Sequence, residues 1–302
     1  MRASVVVRMR SSRETLGLTL GIAAMCGFSA TIPVTRIGVQ WLDPLFLTAG
    51  RASLAGIVAA TVLLLLRRPL PPRALWGTFV LTGFCVLVSY PVCLAIALRY
   101  VPASHGGVVL GIIPLAVAAT AALFGHERPS AGFWIASIVG TAIVIAFVVR
   151  QSGGLHGIGL GDLFLLGVVA SAGIAYPLSG RLSTMMPGWE VITWQLAGFL
   201  PVSLICVALL WPSDLSAVPI SGWFALLWIS FVGQYFSFIA SNFGMAMAGV
   251  ARVSQLMLLQ PFVVLAIAIP VNGERPDLET ILFAVAVVAT VVIGQRMRET
   301  RG

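Results

Sequence analysis

The sequence contains no lysine, and charged residues make up only 9% of its 302 residues, against roughly 25% in an ordinary soluble domain. Hydrophobic residues account for 59%, and the mean hydropathy is +1.03. This composition predicts an integral membrane protein. The absence of lysine excludes the phosphate-binding motif G-x-x-x-x-G-K-[ST], and with it an ATP-driven pump contained in this single chain.

Groups for catalysis or metal binding are also scarce. The three histidines, His105, His126 and His156, are not spaced as a ligand pair such as H-x-x-x-H. The four cysteines lie inside apolar runs and are interpreted as small core residues. We therefore expect no enzyme, no metal and no cofactor, although a membrane-embedded transferase or a non-transporting membrane subunit remains the alternative.

The acidic residues avoid the middle of every predicted membrane span. All ten lie at predicted helix ends or in loops. Proton-driven antiporters usually depend on a buried carboxylate that exchanges protons for substrate. The pattern therefore favours facilitated diffusion or exchange over a carboxylate-based proton pump, and a lone His105 at a helix start is interpreted as an interfacial residue.

An internal duplication is visible in the apolar sequence. The segment from Pro114 to Pro129 returns 147 residues later as Pro261 to Pro276, with Glu127 mapping onto Glu274. Secondary transporters commonly consist of two such repeats with the substrate site between them. Because the same turn recurs at both copies, Glu127 and Glu274 are predicted to be structural, as are the prolines that interrupt the helices: Pro91, Pro114, Pro177 and Pro261.

The apolar runs predict an all-α polytopic protein of ten transmembrane helices, arranged as two inverted five-helix repeats. The first repeat covers 16–149, with spans at 16–35, 44–66, 74–98, 104–124 and 130–149. A Gly-rich linker at 150–159 leads to the second repeat at 160–296, with spans at 160–180, 189–210, 220–243, 249–271 and 278–296. Residues 1–15 and 297–302 are predicted to be cytoplasmic tails.

The arginines predict the orientation in the membrane. With both termini inside, 13 arginines fall on the cytoplasmic side and four on the other side, while Arg51 lies within a helix. They sit in tails and short loops and not along one basic face with aromatics, so nucleic acid is not an expected partner. We expect a multi-pass protein of the plasma (inner) membrane that contacts lipid and a small organic solute; a homodimer is left open.

Several motifs resemble the EamA-type repeat of the drug/metabolite transporter superfamily. In the first copy they are Ala95-Ile-Ala-Leu-Arg-Tyr-Val-Pro-Ala-Ser104, Ile113-Pro114 and Gly125-His-Glu-Arg-Pro129. The second copy is similar through Gly161-Asp-Leu163, Ala175-Tyr176, Trp194-Gln195, Gln260-Pro261 and Gly273-Glu-Arg-Pro276. The resemblance implies ten helices, inverted repeats, inside termini and a pathway between the halves. Family members move amino acids, metabolites and drugs, more often by export.

Arg51 is the most unusual residue, because a charge near the middle of a bilayer costs at least about 2.5–3.5 kcal/mol unless it faces water, a partner or a ligand. One interpretation is a contact for an anionic group such as a carboxylate; the other is an arginine that reaches toward headgroups. Gln195 occupies the matching place 144 residues later. It is predicted either to bind substrate or to form a helix–helix hydrogen bond.

Aromatic and amide side chains complete the predicted pathway. Tyr90, Tyr176, Gln234 and Tyr235 fall within predicted spans, where they could form walls for a partly apolar solute or simply pack the bundle. Further predicted pathway residues near the ends of the eighth and ninth helices are Asn242 and Gln255.

Overall fold

The computed structural model describes residues 2–124, 130–151, 158–214 and 216–299. Within these ranges nine helices are long and apolar enough to cross a membrane, and a shorter apolar helix completes a tenth, broken span. The fold is therefore an all-α bundle of ten helices in two repeats. The predicted turn that carries Glu127, and most of the predicted linker, lie outside the described residues.

The first repeat contains five spans, of which the fourth is broken. The helices are α1 (Arg2–Trp41), α2 (Pro44–Leu65), α3 (Arg73–Tyr100), α4a (Ala103–Leu110), α4b (Ile113–Phe124) and α5 (Ala131–Gln151). The residues predicted to form an N-terminal tail are already helical from Arg2.

The second repeat has the same order, and its fourth span is broken as well. Its helices are α6 (Leu160–Met185), α7 (Gly188–Leu209), α8 (Ile220–Ala248), α9a (Val250–Met257), α9b (Gln260–Asn272) and α10 (Leu278–Glu299). Gly273 ends α9b in the left-handed conformation at φ 67°, which a glycine adopts without a Cβ clash.

Two local irregularities recur at equivalent places in the two copies. The breaks in α4 and α9 are each followed by a helix with proline as its second residue, Pro114 or Pro261. Proline has no N–H to donate to the preceding turn, so the helical ladder is interrupted there. In addition, α3 contains a π-helical segment at Phe84–Ser89, and α8 contains one at Ile229–Phe236.

Helix packing follows the repeat. Helix α1 packs along α8, and its counterpart α6 packs along α3; α2 packs against α7, and α5 against α10. A five-helix unit crosses the membrane an odd number of times, so the second copy runs in the opposite sense to the first. Both chain ends consequently lie on one surface of the bundle, called here the terminal face, and the other surface is called the distal face.

Candidate substrate cavity

A cavity of about 1230 Å³ lies between the two repeats. Residues of both copies line it, and most of the lining is apolar, with polar groups that converge from several helices. Pockets that hold small organic molecules in other proteins are also mostly apolar with a few polar groups, and have volumes of about 300–1,000 Å³, so this cavity has room for such a molecule. The paired prolines Pro114 and Pro261 also line it, so the broken helices border the cavity directly.

The distal end of the cavity is closed by α4a and α9b. These two half-helices pack so closely that a Cβ atom built on Gly107 would lie 2.6 Å from Val264 Cγ1. Glu274, just after α9b, accepts hydrogen bonds from the backbone N–H groups of Ala103 at 2.7 Å and Ser104 at 2.8 Å. The carboxylate therefore caps the start of α4a, where the free N–H groups of a helix favour a negative charge.

Arg36 of α1 extends this closure. Its Nε lies 3.4 Å from Glu274 Oε1, and its Nη1 donates to the carbonyl oxygens of Leu98, at 3.2 Å, and Val101. Glu274 belongs to the second repeat and its partners belong to the first. The cluster of Arg36, Glu274, Ala103 and Ser104, called here the distal latch, thus joins the two copies across the closed end.

The cavity reaches the terminal face. The lining residues Ser183, Met245 and Gln295 lie within four residues of the end of their helices on that side, and Gly188 is the first residue of α7. The half-helices α4b and α9a, which are the repeat-related counterparts of the packed pair α9b and α4a, both line the cavity here. In the described part of the chain, one end of the molecule is thus closed and the equivalent end is open.

Arg51 lies in the wall of this cavity. It is the eighth residue of α2, about 10 Å along the helix from its start at 1.5 Å per residue. Only 5% of its surface is exposed, and its Nε is buried without a hydrogen-bond partner. It is the only charged residue among those that line the cavity in the described part of the chain.

Two tyrosines accompany Arg51. Tyr90 and Tyr176 both line the cavity, as Arg51 does. Tyr90 directly follows the π-helical segment of α3, and Tyr176 precedes Pro177 inside α6. Tyr176 remains 37% exposed within the bundle. Arg51, Tyr90 and Tyr176 are called here the Arg51 cluster, a guanidinium and two phenolic hydroxyl groups in the lining of one cavity.

The predicted amide residues take different places. Gln195 lines the cavity, is buried, and donates from Nε2 to Thr82 Oγ1 at 2.8 Å, which is a hydrogen bond between α7 and α3. Gln234 also lines the cavity and has its Nε2 buried without a partner. Asn242 and Gln255 line the cavity nearer the terminal face, where Asn242 Nδ2 donates to the carbonyl of Phe238 at 2.8 Å.

Tyr235 is not among the lining residues of the described chain. It is 2% exposed, packs beside Ile192 and Leu196, and has its hydroxyl 3.4 Å from Thr193 Oγ1. It stands at the same distance beyond the start of its π-helical segment as Tyr90 does in the first copy. Of the other predicted structural residues, Pro91 is the second residue after the segment of α3, Pro177 lies inside α6, and Glu127 is outside the described residues.

One buried pair was missed at the sequence level. His105 Nε2 lies 2.8 Å from Asp162 Oδ1, with both side chains buried, at the distal ends of α4a and α6. Asp162 also accepts from the N–H of Gly159 at 3.1 Å. Both residues lie at helix starts and were therefore predicted to be interfacial. They meet only because α4a packs against α6, which the sequence does not show. Neither residue lines the cavity.

Comparison with known proteins gives one consistent result. The profile of the EamA-like transporter family matches residues 15–149 and again residues 159–294. The uncharacterized transporter YdeK of Bacillus subtilis (strain 168) is 33% identical over 285 residues, which is 94% of this chain and 99% of YdeK. The uncharacterized inner membrane transporter YedA of Escherichia coli (strain K12) is 25% identical over 298 residues, covering 95% of this chain and 92% of YedA.

A solved crystal structure is also similar. It superposes with a TM-score of 0.63 at 19% identity and covers 95% of this chain and 98% of that one. At that identity the likeness concerns the fold alone.

Proposed function

Since the chain belongs to the EamA-like transporter family, we propose that it is a secondary transporter, a permease that exports a small organic solute such as an amino acid, a metabolite or a drug. The solute moves through the cavity between the inverted repeats by alternating access. The protein acts without catalysis and without a cofactor. This proposal narrows the membrane transport function that the family establishes.

The observation that carries the proposal is the unequal state of two equivalent ends. The α4a–α9b pair is packed at the distal face, whereas α4b and α9a line an open cavity at the terminal face. Two copies of one unit can exchange these roles, because each copy contains both kinds of half-helix. Exchange of the packed and open pairs would carry a bound solute from one face to the other.

The chemistry of the cavity supports facilitated diffusion or exchange. None of the residues that line it in the described chain carries a carboxylate. The buried pair of His105 and Asp162 lies outside the lining. A bound solute therefore meets no carboxylate in this lining that could exchange a proton for it. We propose that a pH gradient does not drive transport.

The orientation we propose places the terminal face in the cytoplasm of a cell bounded by the plasma (inner) membrane. The 13 to four distribution of arginines favours this orientation. A single cysteine in place of the exposed Arg73 would then react with an impermeant maleimide from the inside, and one in place of Arg275 from the outside. Reaction of both from the same side would contradict the inverted repeats.

Counterflow into proteoliposomes tests the transport function. Vesicles loaded with a mixture of unlabelled candidate solutes are diluted into labelled solute, with and without an imposed pH gradient. We expect protein-dependent accumulation of the transported label that is the same in both conditions. Strict dependence on the pH gradient would overturn the uncoupled mechanism, and absence of counterflow for a solute that binds the purified protein would overturn the transport function.

A further inference from the structure

We infer that the transported solute is an organic monoanion, a carboxylate with an apolar body, and that Arg51 is the residue that selects it. The inference rests on the proposed function and narrows its substrate class. It excludes cationic drugs as substrates, and it predicts that zwitterionic amino acids bind more weakly than the corresponding simple carboxylates. The argument depends on the charge balance of the cavity and on the geometry around Arg51.

The first step is that Arg51 lacks a counterion in the protein. No acidic residue among the described ones forms an ion pair with it. The carboxylates whose side chains are described are engaged elsewhere, either in ion pairs or at helix and turn caps: Glu14, Asp43, Asp162, Glu190, Asp214, Glu274, Asp277 and Glu279. A buried guanidinium without a partner is costly, so a ligand that supplies one negative charge is strongly favoured there.

The second step is the set of donors around that charge. A guanidinium presents N–H groups in a planar fork that matches the two oxygens of a carboxylate. Tyr90 and Tyr176 line the same cavity, and their hydroxyl groups are further donors that a bound anion can accept from. The buried and unpartnered Nε of Arg51 is the donor that a bound carboxylate would satisfy.

The third step is the count of charges. Arg51 is the only charged residue among the described lining residues. A monoanion neutralises it, whereas a phosphate dianion would leave one negative charge without a cation in the cavity. An ammonium group would meet a like charge and no carboxylate, so a cation is repelled and a zwitterion gains only at its carboxylate end.

The fourth step concerns the rest of the solute. The lining of the same cavity includes the apolar side chains of Phe28, Val86, Leu94, Phe238 and Met245. These side chains present apolar surface to the body of the solute. An arylalkyl chain attached to the carboxylate matches this combination of one charged end and apolar walls.

Four probes with one carbon skeleton test the charge selection. They are 3-phenylpropanoate (anion), 3-phenylpropanamide (neutral), 3-phenylpropylamine (cation) and phenylalanine (zwitterion). Thermal shift of the purified protein gives binding, and counterflow into proteoliposomes gives transport. We expect 3-phenylpropanoate to bind at least about tenfold more tightly than the amide or phenylalanine, and the amine not to compete with it.

Variants at one position locate the selection. Removing one partner of a buried charge pair costs about 2 kcal/mol or more, so Arg51→Gln is expected to weaken 3-phenylpropanoate at least about thirtyfold while leaving the amide nearly unchanged. Arg51→Lys keeps the charge but loses the fork, so it is expected to retain the preference for the anion at reduced affinity. The control Arg99→Gln, at the exposed distal end of α3, should bind all four probes as the parent does.

The outcomes separate this inference from the proposed function. Tighter binding of the amine or of phenylalanine than of 3-phenylpropanoate overturns the inference, and so does an Arg51→Gln variant with unchanged anion affinity or a parent protein that binds none of the four. Counterflow of phenylalanine or the amine in those cases would leave the transport function standing. Binding of 3-phenylpropanoate through Arg51 without any counterflow would overturn the transport function and leave Arg51 as the residue that selects the bound anion.

Discussion

The distal latch gives a quantitative test of how the closed end is held. In the substitution Glu274→Gln the side chain keeps one acceptor oxygen and loses the other acceptor and the charge. In the parent protein the carboxylate of Glu274 accepts from the N–H groups of Ala103 at 2.7 Å and Ser104 at 2.8 Å, and its Oε1 lies 3.4 Å from Arg36 Nε. A hydrogen bond to a charged group contributes about 1.5–3 kcal/mol, and a helix cap about 1 kcal/mol. We therefore expect a loss of about 2 kcal/mol from the latch.

The loss should appear in the equilibrium between closed and open distal faces, because the latch joins the two repeats and must separate when that face opens. A change of about 2 kcal/mol corresponds to about thirtyfold more of the open form. The assay uses a protein in which Cys26, Cys85, Cys93 and Cys206 are replaced and one reporter cysteine is placed at Ile32, a lining residue. An impermeant maleimide is added at the distal face of sealed vesicles.

Glu279→Gln is the matched control. Glu279 pairs with Arg150 on the same face and also joins the two repeats, but both side chains are well exposed, at 37% and 70%. An exposed ion pair contributes about 0–1 kcal/mol. We expect the reporter to react about thirtyfold faster in Glu274→Gln and less than about fivefold faster in Glu279→Gln. Equal rates in the two variants would refute the assignment of the closure to the latch.

Three further changes test packing, pairing and pH. A Cβ atom on Gly244 would lie 2.9 Å from the carbonyl oxygen of Gly17, so Gly244→Ala should lower the stability of the protein by about 1–3 kcal/mol in detergent melts. Gly198 has open space around it, so Gly198→Ala should not destabilise the protein. Equal melting temperatures of the two variants would contradict this. In a double-mutant cycle, Gln195→Ala and Thr82→Val should show a coupling of about 0.6 kcal/mol; zero coupling would leave the Gln195 amide free for substrate. The hydroxyl and N–H of Thr280 lower the pKa of Asp277, so its stabilisation is present above about pH 3.9 and lost as the pH falls through the lower folded value. Asp277→Asn should therefore flatten the acid side of the melting-temperature curve, and an unchanged curve would argue against the cap.

The repeat and the broken helices were predictable because they depend on local chemistry. Pro114 and Pro261 interrupt the backbone hydrogen bonds of their helices because proline has no N–H to donate. The apolar runs between loops are long enough to cross a membrane, so each span can be recognised in the sequence. The ten helices and the family were accordingly confirmed. The position of Arg51 within an apolar run was also evident from sequence, although the absence of a counterion required the three-dimensional neighbours.

Partners that depend on the relative placement of helices were not predictable. Glu274 was expected to be structural, but its bonds to α4a arise only because α9b and α4a meet at the distal face. Tyr90 and Tyr235 have equivalent positions in sequence, yet Tyr90 lines the cavity and Tyr235 packs beside Leu196. The two copies are alike in their elements but differ in conformation, and a sequence pattern cannot show which of two equivalent residues faces the cavity.

The two π-helical segments also indicate how the two repeats arose. Each inserts a wide turn at the same place in its copy, at Phe84–Ser89 and Ile229–Phe236. Such an insertion arises more simply once than twice, so the wide turn was already present in the ancestral five-helix gene before it duplicated. Position 51 and its counterpart 195 now carry arginine and glutamine. The two copies therefore share the wide turn but differ at this position of the cavity wall, so one helical architecture accommodates either a charged or a neutral polar group there.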